Sequence, residues 1–345
     1  MTKLFFLLSG EHPTLPSSEL KSVLQAERHK YRALQSLTQV MRLEAAVDTT
    51  KSVISRSAMT RICAKELFVC NATIAEISKR MRSISLEGII ETGESFVVRI
   101  RRIRRSAFHL VRGELERKLG ALILSKGRRI RVNLKTPQKT FFGVLTDNKL
   151  VLGLKAGEVS KKPFFERRPR KRPFFHPTAM PAKLARCMVN LAQPRAGELV
   201  LDPFCGTASM LIEAGLIGCR VVGFDVKRRM VQGSLHNLLF YGVKPEGVVV
   251  ADARHLPAVR ADCVVTDPPY GRSATTLGHS TQQIMRKFLS TVKDRLHAGR
   301  RLCTASPKSV GVGMIGKELG FKLVESHFVP VHRNLTREIA VFEGR

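Results

Sequence analysis

Four aspartates in the second half of the chain each close a short apolar run. Asp202 follows Leu199-Val200-Leu201, Asp225 follows Val221-Val222-Gly223-Phe224, Asp252 follows Val248-Val249-Val250-Ala251, and Asp267 follows Val264-Val265-Thr266. Acids at strand tips stand where ligands bind in an open α/β sheet. Asp202 opens Asp-Pro-Phe-Cys-Gly-Thr, in which Gly206 lets the backbone come close to a ligand and Thr207 is expected to cap the next helix. The spaced glycines of a dinucleotide site are missing, and an acid there repels phosphate, so a ligand with a cationic amino-acid tail is favoured over pyrophosphate. Asp225 suits the two hydroxyls of a ribose. Asp252 suits an adenine amine. Each acid taken alone could be a helix cap or a turn acid. Three on successive strand ends describe a nucleoside with an amino-acid tail, S-adenosylmethionine.

Asp267 begins a different motif, Asp-Pro-Pro-Tyr, directly after Val264-Val265-Thr266. Two prolines make a stiff turn and fix the direction of the carbonyl before them. The aspartate and the Pro268 carbonyl are two acceptors for an exocyclic amine, and Tyr270 is an aromatic face on which an unpaired base can stack. The alternative is a rigid polar turn with no ligand.

The elements needed to hold these residues are legible from residue 177 onward. Apolar runs of strand length alternate with helical periods, which predicts an α/β fold with a parallel, doubly wound sheet. The last two strands, 321–331 and 336–342, are joined by a short turn, so the sheet is expected to close with one antiparallel strand. The first half predicts a smaller α+β region. Leu4–Leu8 reads as a strand rather than a signal peptide. A helix is expected to open at Pro16, and another to cover Thr60–Cys70. Strands are expected at Ser95–Ile103 and Arg129–Leu134, a helix at Phe108–Leu124, and a hairpin around Asp147-Asn148.

Charge sets the partner. Lys and Arg number 59 against 28 Asp and Glu, a net +31. That excess points to a polyanion. Twelve Lys and Arg lie between Arg99 and Arg131, among them Arg99, Arg101, Arg102, Arg104, Arg105, Arg128 and Arg129, against the two acids Glu114 and Glu116. A second basic run, from Lys161 and Lys162 through Arg167, Arg168 and Arg172 to Pro173, carries three prolines and reads as an extended linker, either inert or touching the same nucleic acid. The seven cysteines form no C-x-x-C pair, so no metal site is expected and reduced core thiols are, which fits a cytoplasmic protein.

The stretches RPFFHPTAMPAKLARCMVNLA, LDPFCGTAS and TDPPYGRS resemble the archaeal tRNA guanine-N2 methyltransferases that act on guanosine 10. FHLVRGELERKLGALIL, RRIRVNLKTP and KTFFGVLTDNKLVLG are similar to the THUMP domain of those enzymes. The resemblance implies a class I Rossmann-like methyltransferase domain over 177–345, a basic linker over 158–176, a THUMP RNA-binding domain over 51–157 and a ferredoxin-like region over 1–50. It implies that Asp202, Cys205, Gly206 and Thr207 cradle the methionine part of the cofactor. Asp225 takes its ribose, Asp252 and Ala253 its adenine, and His176 with Thr178 to Met180 cover it. Asp267, Pro268 and Tyr270 then hold the guanine, THUMP binds the acceptor end of tRNA, and the amine receives one methyl and then a second. Other readings remain open at this level: the same chemistry at another tRNA position or in ribosomal RNA, a DNA amino-methyltransferase, a non-catalytic tRNA-binding subunit, and dependence on a small partner subunit.

Overall fold

A computed structural model of the chain describes residues 1–127, 129–269 and 280–344. The first half runs β1 (Thr2–Leu8), α1 (Leu15–Ala26), β2 (Tyr31–Leu37), β3 (Val40–Ala45), α2 (Thr49–Arg56), β4 (Thr60–Asn71), α3 (Ile74–Ser83), β5 (Ser95–Arg102), α4 (Arg112–Leu124), β6 (Arg131–Val132), β7 (Lys139–Thr146) and β8 (Lys149–Glu158). The second half runs α5 (Lys162–Glu166), a 3-10 turn (Pro169–Lys171), α6 (Ala182–Ala192), β9 (Leu199–Asp202), α7 (Ser209–Gly215), β10 (Arg220–Asp225), α8 (Arg228–Phe240), β11 (Gly247–Val250), β12 (Cys263–Thr266), α9 (Thr281–Lys293), β13 (Arg301–Pro307), α10 (Val312–Glu318), β14 (Lys322–His332) and β15 (Leu335–Glu343). Among the described residues no helix is long and apolar enough to cross a membrane.

Residues 1–11, 28–55 and 60–159 form one compact unit. Its eight strands are ordered β2-β3-β1-β4-β8-β7-β5-β6. The sheet is covered by apolar side chains on both faces, because strand neighbours alternate sides. Phe141 and Phe142 show this: Phe141 meets Phe96 edge-on with ring centres 5.7 Å apart, and Phe142 stacks on Phe5 at 6.4 Å. Asp147 and Asn148 take φ of +48° and +54°, which gives the tight hairpin their identities predicted.

Two expectations fail here. Thr60–Cys70 is not a helix but the long strand β4, antiparallel to β1 on one side and β8 on the other. The helix-forming Ala64-Lys65-Glu66-Leu67 misled the reading. Pairing along both edges outweighs a propensity of a few tenths of a kcal/mol per residue. The half-buried strand expected at Arg129–Leu134 shrinks to Arg131–Val132 on the sheet edge, with Val132 and Leu134 exposed.

Residues 12–27, 56–59 and 160–345 form the second unit, so the compact divisions do not follow a boundary at residue 50. The reason is a buried carboxylate. Glu19 on α1 has no solvent exposure and accepts from Ser57 Oγ at 2.6 Å, the Ala58 and Met59 N–H groups at 2.8 and 2.7 Å, and Asn190 Nδ2 at 2.8 Å. Leu15, Ala58 and Met59 pack in the same apolar cluster as Met188 and Leu191 of α6. The sheet of this unit is ordered β11-β10-β9-β12-β13-β15-β14. It is parallel except for β15, which runs antiparallel to β13 and β14, as expected.

The basic run after residue 160 is also not a free linker. Arg167 donates to Glu213 on α7 at 2.7 and 3.0 Å. Arg172 is buried and donates to Ser209 Oγ at 2.6 Å, Thr207 Oγ1 at 3.3 Å and the Met180 carbonyl at 3.3 Å. Three prolines suggested extension. Buried acceptors waiting on α7 and its entry turn decided otherwise.

Candidate active site

The carboxyl ends of β9, β10, β11 and β12 open into one cavity of about 930 Å³. That is the upper end of ligand pockets, as two ligands meeting in one cavity would require. Apolar walls come from Phe204, Leu184, Met230 and Ile284, and one rim comes from the β14–β15 hairpin. His176, Thr178, Gly206, Asp225, Asp252, Ala253, Asp267 and Pro268 all line it. Tyr270 and Arg128 lie outside the described residues.

The turn after β9 shows how a strand end becomes half of a site. Gly206 adopts φ +53° and Ala208 φ +64°, so the chain doubles back before α7. The Gly206 N–H then points at Asp225 Oδ2, 3.1 Å away. Asp225 Oδ1 accepts from the Lys227 N–H at 2.9 Å, which tightens the turn before α8. Each carboxylate oxygen can accept a second bond, so Asp225 keeps acceptor capacity toward the cavity. Burial holds the Asp225 carboxyl above its usual range. Asp252 receives the Arg254 guanidinium on both oxygens at 2.6 and 3.0 Å and is held below the usual carboxylate range by it. His176 Nδ1 lies 2.7 Å from Thr178 Oγ1, which shapes the opposite wall.

Three residues expected to touch the cofactor stand behind the wall instead. Asp202 is 1% exposed and accepts from Thr266 Oγ1 at 2.6 Å and the Phe204 N–H at 3.1 Å. It ties the ends of β9 and β12 together. Cys205 is buried with Sγ 3.6 Å from Ser234 Oγ, and burial pushes its thiol well above the usual range. It nests over Gly223, where an added Cβ would stand 3.0 Å from the Cys205 Cβ and 2.6 Å from Leu211 Cδ1. Thr207 does not cap α7, whose cap residue is Ala208; its hydroxyl is taken by Arg172. The motif's polar residues build the turn, and its backbone and flanking Phe204 face the cavity.

Burial raises the Asp202 carboxyl to about 7, with Asp267 and Asp225 adding repulsion. The folded state therefore holds this proton more tightly than the unfolded chain does. Stability from this group is full below pH 4 and lost as pH rises through 7, by up to about 4 kcal/mol. Asp202→Asn is expected to be more stable than wild type at pH 8 and equal near pH 4 in urea unfolding. Parallel pH curves would refute the assignment.

Sequence reasoning missed Arg337. It lies on β15 with its side chain 11% exposed, lines the cavity, and brings Nη2 to 3.6 Å from Asp267 Oδ2. It also missed Arg172 and Asn237, which bind the segment before α6 to the β9 turn; Asn237 Nδ2 donates to the Phe174 and Thr207 carbonyls at 2.9 and 3.1 Å. No local spacing signals these contacts. Of the basic candidates, Arg99, Arg101, Arg104, Arg105, Arg129, Lys161, Lys162 and Arg168 are exposed. Arg102 is half-buried and donates to the Leu110 carbonyl, and Arg167 is taken up by Glu213.

The arrangement is that of a class I methyltransferase domain, joined to an RNA-binding type of module. A THUMP domain matches residues 71–155, and an RMKL-like methyltransferase domain matches residues 169–337. The tRNA (guanine(10)-N2)-dimethyltransferase of Methanothermobacter thermautotrophicus is 37% identical over 342 residues, 99% of each chain. That of Pyrococcus abyssi is 36% identical over 276 residues, 79% of this chain and 80% of the other. The crystal structure of TrmN from Thermus thermophilus shares the fold, with TM-score 0.57 at 19% identity over 99% of this chain and 100% of that one. The chain belongs to the tRNA (guanine(10)-N2)-dimethyltransferase family.

Proposed function

We propose that the protein methylates the exocyclic N2 amine of guanosine 10 in tRNA, first once and then again, with S-adenosylmethionine as donor. The observation that carries this reading is a single cavity lined by Asp225, Asp252 and Gly206 on one side and by Asp267 and Pro268 on the other. The first group fits the cofactor. Asp225 keeps acceptor capacity for a ribose diol, Asp252 and Ala253 stand at the next strand end, and Phe204 and Ile284 offer apolar faces for a flat ring. When bound, the cofactor supplies an electrophilic methyl group.

The guanine amine is a weak nucleophile, since its lone pair is delocalised into the ring. Asp267 and the Pro268 carbonyl accept its hydrogens and turn the nitrogen lone pair toward the donor side of the cavity. Positioning and a fixed charge in a water-poor pocket do most of this work. The methylated amine loses a proton readily, and Asp267 is placed to receive it. A second hydrogen remains after the first transfer, so the same geometry serves twice. Arg99, Arg101, Arg104 and Arg105 contact phosphates of the acceptor end.

Labelled methyl transfer to a tRNA transcript, followed by nucleoside analysis, is expected to yield N2-methylguanosine and then the dimethylated form. A transcript with adenosine at position 10 should take no label; label at another nucleotide, or none at all, would defeat the proposal. Arg101→Ala with Arg104→Ala should weaken tRNA binding and reduce the salt slope by roughly 1 to 2. An unchanged slope would remove both residues from the interface.

A further inference from the structure

We propose that Gly233 and Asn237 of α8, together with Phe174, are positioning residues for the cofactor: they fasten the segment before α6 to the turn after β9, and this fastening sets how tightly S-adenosylmethionine is held. The inference rests on the function proposed above. None of the three residues is among those that line the cavity.

Five consecutive residues, His176 to Met180, do line it. They lie between the 3-10 turn and α6 and belong to no helix or strand, so their place depends on anchors at each end. At one end the Met180 carbonyl accepts from Arg172 Nη2 at 3.3 Å and Ser209 Oγ at 3.2 Å. At the other, the Phe174 N–H donates to Asn237 Oδ1 at 2.9 Å, and the Phe174 carbonyl accepts from Asn237 Nδ2 at 2.9 Å. The same nitrogen donates to the Thr207 carbonyl at 3.1 Å, so both amide hydrogens of this fully buried side chain are engaged. Ser234 Oγ, from the preceding turn of α8, donates to the Gly206 carbonyl at 2.8 Å. One helix face therefore holds both the turn that presents Gly206 and the segment that supplies His176 and Thr178.

Gly233 makes that arrangement possible. It stands one turn before Asn237, and a Cβ added there would run into the Phe174 ring at Cγ, Cδ1 and Cε1. Glycine is a poor helix former, and inside α8 it permits this close approach. Arg229, one turn earlier again, holds its guanidinium 5.9 Å from the ring centre. Positions 229, 233 and 237 form one stripe along the helix, and the ring lies against it. A side chain at 233 displaces the ring, and the Phe174 backbone that Asn237 holds moves with it. A segment fastened only part of the time lowers ligand affinity by the fastened fraction. The transfer step depends on Asp267 and Pro268 and follows binding, so it is spared.

The test uses full-length protein, calorimetric titration with S-adenosylmethionine and S-adenosylhomocysteine, transfer to a tRNA transcript, and hydrogen exchange of amides 174–180 without ligand. Gly233→Ala is expected to raise Kd for both ligands, and KM for the donor, by about tenfold, with kcat at saturating donor within about twofold of wild type. The Phe174 amide should exchange faster. Alanine is the better helix former, so a weakened α8 does not account for such a loss. Phe174→Ala removes the group that the new methyl strikes. By itself it should raise Kd by about threefold, which carries the test if Gly233→Ala does not fold. The double variant should bind more tightly than Gly233→Ala alone, a coupling that independent structural damage does not produce. Wild-type affinity in both single variants, additive losses in the double variant, or a fall in kcat with Kd unchanged would each overturn the proposal. If wild type binds neither ligand, the cofactor reading itself fails and the proposal falls with it.

Discussion

Asp267→Ala is expected to lower methyl transfer to tRNA by about a thousandfold or more, with tRNA affinity within about threefold of wild type. The size of the effect follows from the task. The reaction needs no strong base, so catalysis rests on holding a poor nucleophile at the right angle, and Asp267 is the charged acceptor that does so. The phosphate-binding side chains proposed for THUMP are untouched by the change, so binding should persist. Asp267→Asn keeps the shape and one acceptor and should fall between wild type and alanine. Single-turnover transfer and a filter-binding titration on the same preparations separate the two effects. Near-normal transfer by Asp267→Ala would end the clamp reading, whatever the tRNA affinity.

Glu213→Ala is expected to destabilise the methyltransferase unit by about 3 to 5 kcal/mol. Glu213 has no exposure and accepts from Arg167 at 2.7 Å and Arg186 at 2.9 Å. Its removal strands both guanidinium groups away from water; that of Arg186 is already pulled below its usual pKa by burial. Losing one partner of a buried ion pair costs far more than the intact pair contributes. Thermal unfolding should drop by roughly 10 °C for a unit of this size. A loss under about 1 kcal/mol would mean that water or a shifted side chain replaces the carboxylate. This contact also explains why the basic run after residue 160 behaves as part of the domain: one of its arginines, Arg167, closes a charge on α7, and another, Arg172, fastens the turn after β9.

The doubly wound sheet was legible because buried parallel strands are short apolar runs and helices repeat at a different period. The reversed strand β15 was legible because too few residues separate it from β14 for a crossover. The hairpin at Asp147-Asn148 was written in two residues that tolerate positive φ. The strand β4 was not legible, because its local preference is helical and its partners β1 and β8 lie far along the chain. Asp225, Asp252, Asp267 and Gly206 were found from strand-end position, and they do meet in one cavity. Asp202, Cys205 and Thr207 were found by the same reasoning and are not among the residues that line it. Position in a motif shows that a turn is special without showing which side of it meets the ligand.

The sequence by itself determined the class of chemistry. Acids at four successive strand ends, a stiff Asp-Pro-Pro turn and a net charge of +31 are local or compositional facts, and they survive any packing of the chain. Tertiary structure alone decided which polar groups line the cavity and which hold its walls. It turned Asp202 inward to Thr266, spent Arg167 on Glu213, and carried Arg337 across the sheet to Asp267. Those choices depend on which buried group finds a partner across the fold, and a partner's distance along the chain says nothing about its distance in space.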